Sequence, residues 1–218
     1  MKYQKTNISF ILIKVIATVG CFSLIGQLYL ILANRKLSIL ETVIQYFSYF
    51  TILSNLLVTI CCISLIKKDL KLINFFSKST TLTAVTVYIT VVGLVYNAIL
   101  RFLWAPEGLQ KLIDELLHTV IPLLFTIYWL LFVPKNFLKW KNVYAWLIFP
   151  FIYCIYILCR GAVTRLYPYP FINVVTLGYK TVYTNICFLV LAFLLIGLSF
   201  IAIAKLLSKN YLKTSGLH

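Results

Sequence analysis

Acidic side chains are the scarcest class in this chain: five Asp and Glu against 20 Lys and Arg, with two histidines and one methionine among 218 residues. So few carboxylates and imidazoles leave little from which to build a transition-metal cluster, whose ligands are His, Cys, Asp and Glu. The six cysteines, Cys21, Cys61, Cys62, Cys154, Cys159 and Cys187, all fall in apolar runs and form no C-x-x-C pair. Neither a disulfide framework nor a zinc site is indicated. The G-x-S-x-G elbow, the P-loop and the G-x-G-x-x-G fingerprint are missing as well, so no metal and no cofactor is expected. There is no internal repeat, no low-complexity tract and no linker rich in Gly, Ser or Pro. The basic excess forms no aromatic-interleaved patch of the kind that binds RNA or DNA, which removes nucleic acid from the expected partners.

What the chain has in abundance is apolar surface. It is 62% hydrophobic and 11% charged, with a mean hydropathy of +0.97, whereas a soluble domain is about half apolar and about a quarter charged. A spanning helix needs about 20 mostly apolar residues. Six runs qualify, near 8–33, 44–66, 80–104, 115–134, 143–160 and 182–207. The expected fold is therefore one all-α integral membrane domain, residues 1–218, with six transmembrane helices.

The basic residues orient it. Lys2, Lys5, Lys67, Lys68, Lys71, Lys78, Lys135, Lys139, Lys141, Lys205, Lys209 and Lys213 lie at one side, 12 in all, against Arg35, Lys36, Lys111, Arg165 and Lys180 at the other. Short cytoplasmic loops carry the Lys and Arg excess, so both termini are expected in the cytoplasm. The net charge of +15 then points to anionic headgroups. The first run starts basic, but it is far longer than the roughly 7–15 residues of a signal-peptide core; Lys14 within it is read as snorkelling to the surface. A lean, Lys- and Ile-rich chain reads as bacterial, which makes the plasma membrane the expected location. No oligomeric state follows from the sequence.

An ionisable residue inside a span marks a functional site by default. In "ELLHTVIPLL", His118 lies one turn inside the fourth run, with Asp114 and Glu115 four and three residues before it. Pro122 has no N–H, so the His118 carbonyl loses its helical partner and needs another donor. In the second run Ser48, Thr51 and Asn55 are spaced for one helical face. In the third, Thr86, Thr90, Gly93, Asn97 and Arg101 form a second stripe; the fifth contributes Tyr153, Tyr156 and Arg160, and the sixth Tyr183, Thr184 and Asn185. With cytoplasmic termini, Thr51 falls about 10 Å below the outer end of its span and His118 about 5 Å below its own. Asn97, Arg101 and Arg160 approach the same level from the other direction, which predicts a pocket open to the outer side. The connection "RLYPYPFINV" before the last run reads as interfacial, since Tyr favours the headgroup level.

Three segments carry a resemblance: "YFTILSNLL" in the second run, "HTVIP" opening the fourth and "YPYPF" before the last. In order and spacing they resemble the androgen-induced membrane hydrolase family, whose eukaryotic members are intramembrane threonine hydrolases of fatty acid esters of hydroxy fatty acids. That resemblance implies Thr51 as nucleophile and His118 as its partner, acting on a lipid-like ester that enters laterally from the bilayer.

The chemistry is coherent on its own terms. A threonine hydroxyl needs a base, and histidine is poised near neutral pH. Asp114 or Glu115 would orient the imidazole. Asn55, Asn97 or Arg101 would stabilise the oxyanion, and Arg101 or Arg160 would hold a substrate carboxylate. Against this stand structural readings. Thr51 could bond its own i−4 carbonyl, and Ser48, Ser54 and Thr59 are rival hydroxyls. Asp114 and Glu115 could be an exposed first turn complementing a helix dipole. The rival function is a proton-coupled or small-molecule transporter, or a lipid-binding membrane protein, with His118 and a carboxylate as relay. No acidic residue at a span midplane and no inverted repeat speaks for it.

Overall fold

The computed structural model describes residues 7–67, 73–103 and 105–214, without the side chains of residue 73 and of 209–214. Lys2, Lys5, Lys68, Lys71, the side chains of Lys209 and Lys213, and His218 lie outside these described residues. Among the described residues every regular element is helical. The helices are α1 (Asn7–Ala33), α2 (Ile39–Phe47), α3 (Phe50–Ile66), the short α4 (Ile73–Phe76) and α5 (Ser79–Ala98). They are followed by α6 (Gly108–Phe132) and α7 (Asn142–Thr164) and by α8 (Val174–Thr214), which is interrupted at Gly178. Five of them, α1, α5, α6, α7 and α8, are long and apolar enough to cross a membrane. The pair α2–α3 passes the same test together, but it is bent by 70°.

Burial ranks the helices. Of its spanning window α5 buries 67%, against 17% for α7 and 22% for α8, so α5 is the central helix and the last two are peripheral. α1 packs on α3, and α5 packs on both α3 and α6. The shared core runs through Ile16, Val58, Ile89, Phe125 and Trp129. Lys14 is exposed and lies over the Phe10 ring at 4.3 Å.

The second predicted run, 44–66, is not one straight helix, and no proline or glycine breaks it. The α2 helix starts at a Ser38 N-cap whose hydroxyl accepts the Glu41 N–H, a standard way of satisfying an orphan donor. It ends at Ser48, where the Ser48 hydroxyl donates to Ile44 O at 2.7 Å and the Tyr153 hydroxyl donates to Ser48 O at 2.8 Å. Tyr156 reaches the Ser48 hydroxyl at 2.9 Å. Two tyrosines of α7 thus hold the interrupted ladder, and Tyr49 turns extended (φ −83, ψ 124) to begin α3.

Two further interruptions lie just ahead of prolines. In α7, Pro150 has no N–H for the Trp146 carbonyl, and the Tyr88 hydroxyl of α5 donates to that carbonyl at 2.7 Å. In α6 the ladder opens into a π turn at Leu116–Val120 just before Pro122, and Asn97 Nδ2 of α5 reaches His118 O at 3.4 Å. The helix carrying His118 begins earlier than the sequence suggests, at Gly108. Asp114 is therefore not in a first turn, nor is it exposed: its relative exposure is 7%.

Candidate active site

The bend between α2 and α3 changes what Thr51 is. Instead of lying mid-helix, Thr51 is the second residue of α3, and Leu53 N–H is bonded to Tyr49 O at 3.2 Å. The first N–H groups of a helix have no intrahelical acceptor, and its N-terminus carries partial positive charge. Thr51 also has no preceding turn of its own helix to bond back into. Its Oγ1 instead lies 3.3 Å from His118 Nε2 and 3.4 Å from the Tyr169 hydroxyl, while its N–H donates to that hydroxyl at 3.3 Å.

The imidazole is fixed from its other side. His118 Nδ1 lies 2.9 Å from the Asp114 main-chain carbonyl. A carbonyl can only accept, so Nδ1 carries the proton and Nε2 presents its lone pair to Thr51. The Tyr96 ring stacks on the imidazole, with centroids 4.0 Å apart and planes at 13°. The Asp114 carboxylate is 3.9 Å from Nδ1. It accepts from Tyr96 at 3.3 Å and from Gln110 at 3.4 Å, and Gln110 in turn donates to Gln27 at 3.0 Å. Gly93 lets α5 approach this turn: a Cβ there would meet Pro122 Cβ at 3.1 Å and His118 O at 3.2 Å.

The other sequence candidates are placed differently. Asn55 donates to Thr51 O at 2.8 Å and to Leu117 O at 3.1 Å, tying α3 to the π turn. Asn97 donates to Gly93 O at 2.8 Å besides reaching the His118 carbonyl. Arg101 binds both oxygens of Glu115 at 2.6 Å, so Glu115 is occupied by the arginine and not by the imidazole. Arg160 binds Glu41 at 2.6 Å and Leu166 O at 3.3 Å, holding the segment that carries Tyr169. Among the rival hydroxyls, Ser48 donates to its own helix and Thr59 donates to Asn55 O at 2.9 Å. Ser54 is fully buried.

Two cavities meet at this cluster. One, of about 540 Å³, is lined almost wholly by apolar side chains of α5, α7 and α8, such as Val91, Val95, Ile157, Ile186 and Phe193. The other, of about 610 Å³, is lined by Gln27, Asn34, Arg35, Lys36, Gln45 and Gln110 among others. Thr51, His118 and Tyr169 line both. The cluster therefore stands in the wall between an apolar chamber and a vestibule that mixes these polar side chains with apolar ones such as Leu30, Ile31 and Leu103.

Sequence reasoning passed over Tyr169 and Tyr96, each one tyrosine among 15. The available signal for Tyr169 was the pair of prolines around it, which restrict φ at a position otherwise read as interfacial. Among the described residues no group of three or more His, Cys, Asp or Glu could hold a metal. Comparison with models of known families, with curated proteins and with solved structures finds no match.

Proposed function

We propose that this chain is an intramembrane hydrolase of lipid-like carboxylic esters, with Thr51 as nucleophile and His118 as general base and acid. The observation that carries the reading is the Thr51 Oγ1 to His118 Nε2 contact of 3.3 Å, made by a nitrogen whose ring partner is bonded to a main-chain carbonyl. Nucleophile, base and orienting acceptor are in line, the arrangement that activates a hydroxyl. The resemblance of "YFTILSNLL", "HTVIP" and "YPYPF" to the androgen-induced membrane hydrolase family supports the same two residues.

In this mechanism His118 Nε2 takes the Thr51 proton as Oγ1 attacks the ester carbon. The tetrahedral intermediate collapses, the C–O bond to the alcohol breaks, and Nε2–H returns the proton to the departing alkoxide. Water, deprotonated by the same nitrogen, then releases the acid from the threonyl ester. The apolar chamber suits an acyl chain, and its position against the peripheral helices α7 and α8 supports lateral access from lipid. Six spans with α2–α3 counted as one, both termini cytoplasmic, in a plasma membrane, complete the proposal.

The test uses purified protein and a fluorescent fluorophosphonate, which phosphonylates activated hydroxyls. Wild type and Thr51→Ser label; Thr51→Ala and His118→Ala lose at least about 10³-fold in labelling rate while melting as wild type does. An unlabelled wild type, or equal labelling of Thr51→Ala, overturns the assignment. Loss of substrate flux into proteoliposomes in His118→Ala but not in Thr51→Ala would favour the transporter.

A further inference from the structure

We propose that Tyr169 is a third catalytic side chain, whose hydroxyl donates a hydrogen bond to the oxyanion formed when Thr51 attacks the ester. The proposal rests on the reading of Thr51 and His118 just given, and it fills a role that none of the side chains singled out in the sequence is placed to take. Asn55 has both amide contacts on main-chain carbonyls at 2.8 and 3.1 Å. Asn97 is turned to Gly93 O at 2.8 Å. Arg101 and Arg160 are each held by a carboxylate at 2.6 Å. An acyl-transfer site without an oxyanion donor forfeits a large share of its rate.

The Tyr169 hydroxyl has the required position and the required proton. It accepts the Thr51 N–H at 3.3 Å, so its own O–H is left to point elsewhere. Thr51 Oγ1 at 3.4 Å is one acceptor in reach, and the Tyr153 hydroxyl, whose proton is on Ser48 O, is a second. With the Thr51 proton on His118 Nε2 and Nδ1–H on Asp114 O, Oγ1 can only accept from Tyr169, and the resting chain runs from the Tyr169 O–H through Oγ1 and the imidazole to Asp114 O. When the Oγ1–carbon bond forms, the carbonyl π pair moves onto the carbonyl oxygen and negative charge leaves the Oγ1 region for that oxygen. The donor that faced Oγ1 then faces the new charge. Accepting a hydrogen bond from Thr51 N–H polarises the phenol and makes it a stronger donor.

The ring is held in place before substrate arrives. Tyr169 stacks on Phe171 at 5.2 Å and 5° and meets Tyr49 edge-on at 5.9 Å. Pro168 and Pro170 fix the backbone on either side, and Arg160 holds Leu166 O three residues before. Removal from water pushes the phenol above its usual range, so the donor keeps its proton at neutral pH. Preorganisation of this kind is what makes an oxyanion donor effective.

Fluorophosphonate labelling tests this directly, because the phosphoryl oxygen takes up the same charge. Tyr169→Phe lowers the maximal labelling rate by about 10²–10³-fold and leaves the half-saturating probe concentration near the wild-type value. Tyr167→Phe, in the same segment but outside both cavities, labels as wild type does. A second variant guards against misfolding: 3,5-difluorotyrosine at position 169 keeps the shape but acidifies the phenol. Since a phenolate cannot donate, the alkaline limb of the labelling profile moves to lower pH. A wild-type rate in Tyr169→Phe, or an unmoved alkaline limb in the fluorinated protein, overturns the role of Tyr169 and leaves Thr51 and His118 standing. A wild type that does not label removes both.

Discussion

His118 is oriented by a main-chain carbonyl, and that distinguishes this site from a triad built on a third side chain. Where an aspartate carboxylate fixes the tautomer, its replacement by asparagine costs about 10⁴ in rate. Here the Asp114 carboxylate is 3.9 Å from Nδ1, whereas the Asp114 carbonyl is at 2.9 Å and survives any side-chain change. Asp114→Asn should therefore lose no more than about 10-fold in labelling rate, far short of a triad aspartate's effect. A loss near that of His118→Ala would make the carboxylate the true orienting group. At this scale His118 stood out as an ionisable residue in an apolar run, whereas Thr51 was one hydroxyl among Ser48, Ser54 and Thr59 and was singled out by the resemblance. Tyr169 and Tyr96 were not, because tyrosine is as much at home in an interfacial belt or a core as in a site.

Three interrupted helices share one device: a carbonyl that lost its helical partner receives a side-chain donor from a neighbouring helix. Tyr153 serves Ser48 O, Tyr88 serves Trp146 O and Asn97 reaches His118 O. With no water in the hydrocarbon core, such carbonyls must be satisfied internally. Tyr88→Phe and Tyr153→Phe each strand one buried acceptor and should each destabilise the fold by about 1–3 kcal/mol, read by unfolding in detergent. They should differ in function: only Tyr153→Phe releases the bend that puts Thr51 at the start of α3, so only that variant should also lose labelling. Equal labelling in the two variants would detach the bend from the chemistry. Of these interruptions, the sequence displayed Pro122 and Pro150 but not the break at Ser48 and Tyr49. That break is made by hydroxyls arriving from α7, and local propensity carries no trace of a tertiary contact.

Parity links the ends of the whole molecule to its span count. The vestibule is lined together by Arg35 and Lys36 after α1, Leu103 after α5, Gln110 at the start of α6 and Pro168 to Pro170 before α8, so these connections lie at one end of the bundle. At the other end Lys205, late in α8, sits over the Trp140 ring at 5.8 Å. If α2–α3 were re-entrant, the chain would cross once fewer between residues 36 and 103, and the two would lie on opposite sides of the membrane. Their meeting in one cavity favours the bent pair as a single span. The long apolar runs made an all-helical membrane protein readable from composition, whereas the 70° bend on which the span count turns was not. In a background lacking the six native cysteines, Lys36→Cys should react with an impermeant maleimide on intact cells, and Lys139→Cys only after permeabilisation. Reaction of both on intact cells would make α2–α3 re-entrant with five spans, and the reverse pattern would put both termini outside. The reverse pattern would move the vestibule to the cytoplasmic side, and with it the side from which water would reach the proposed threonyl ester.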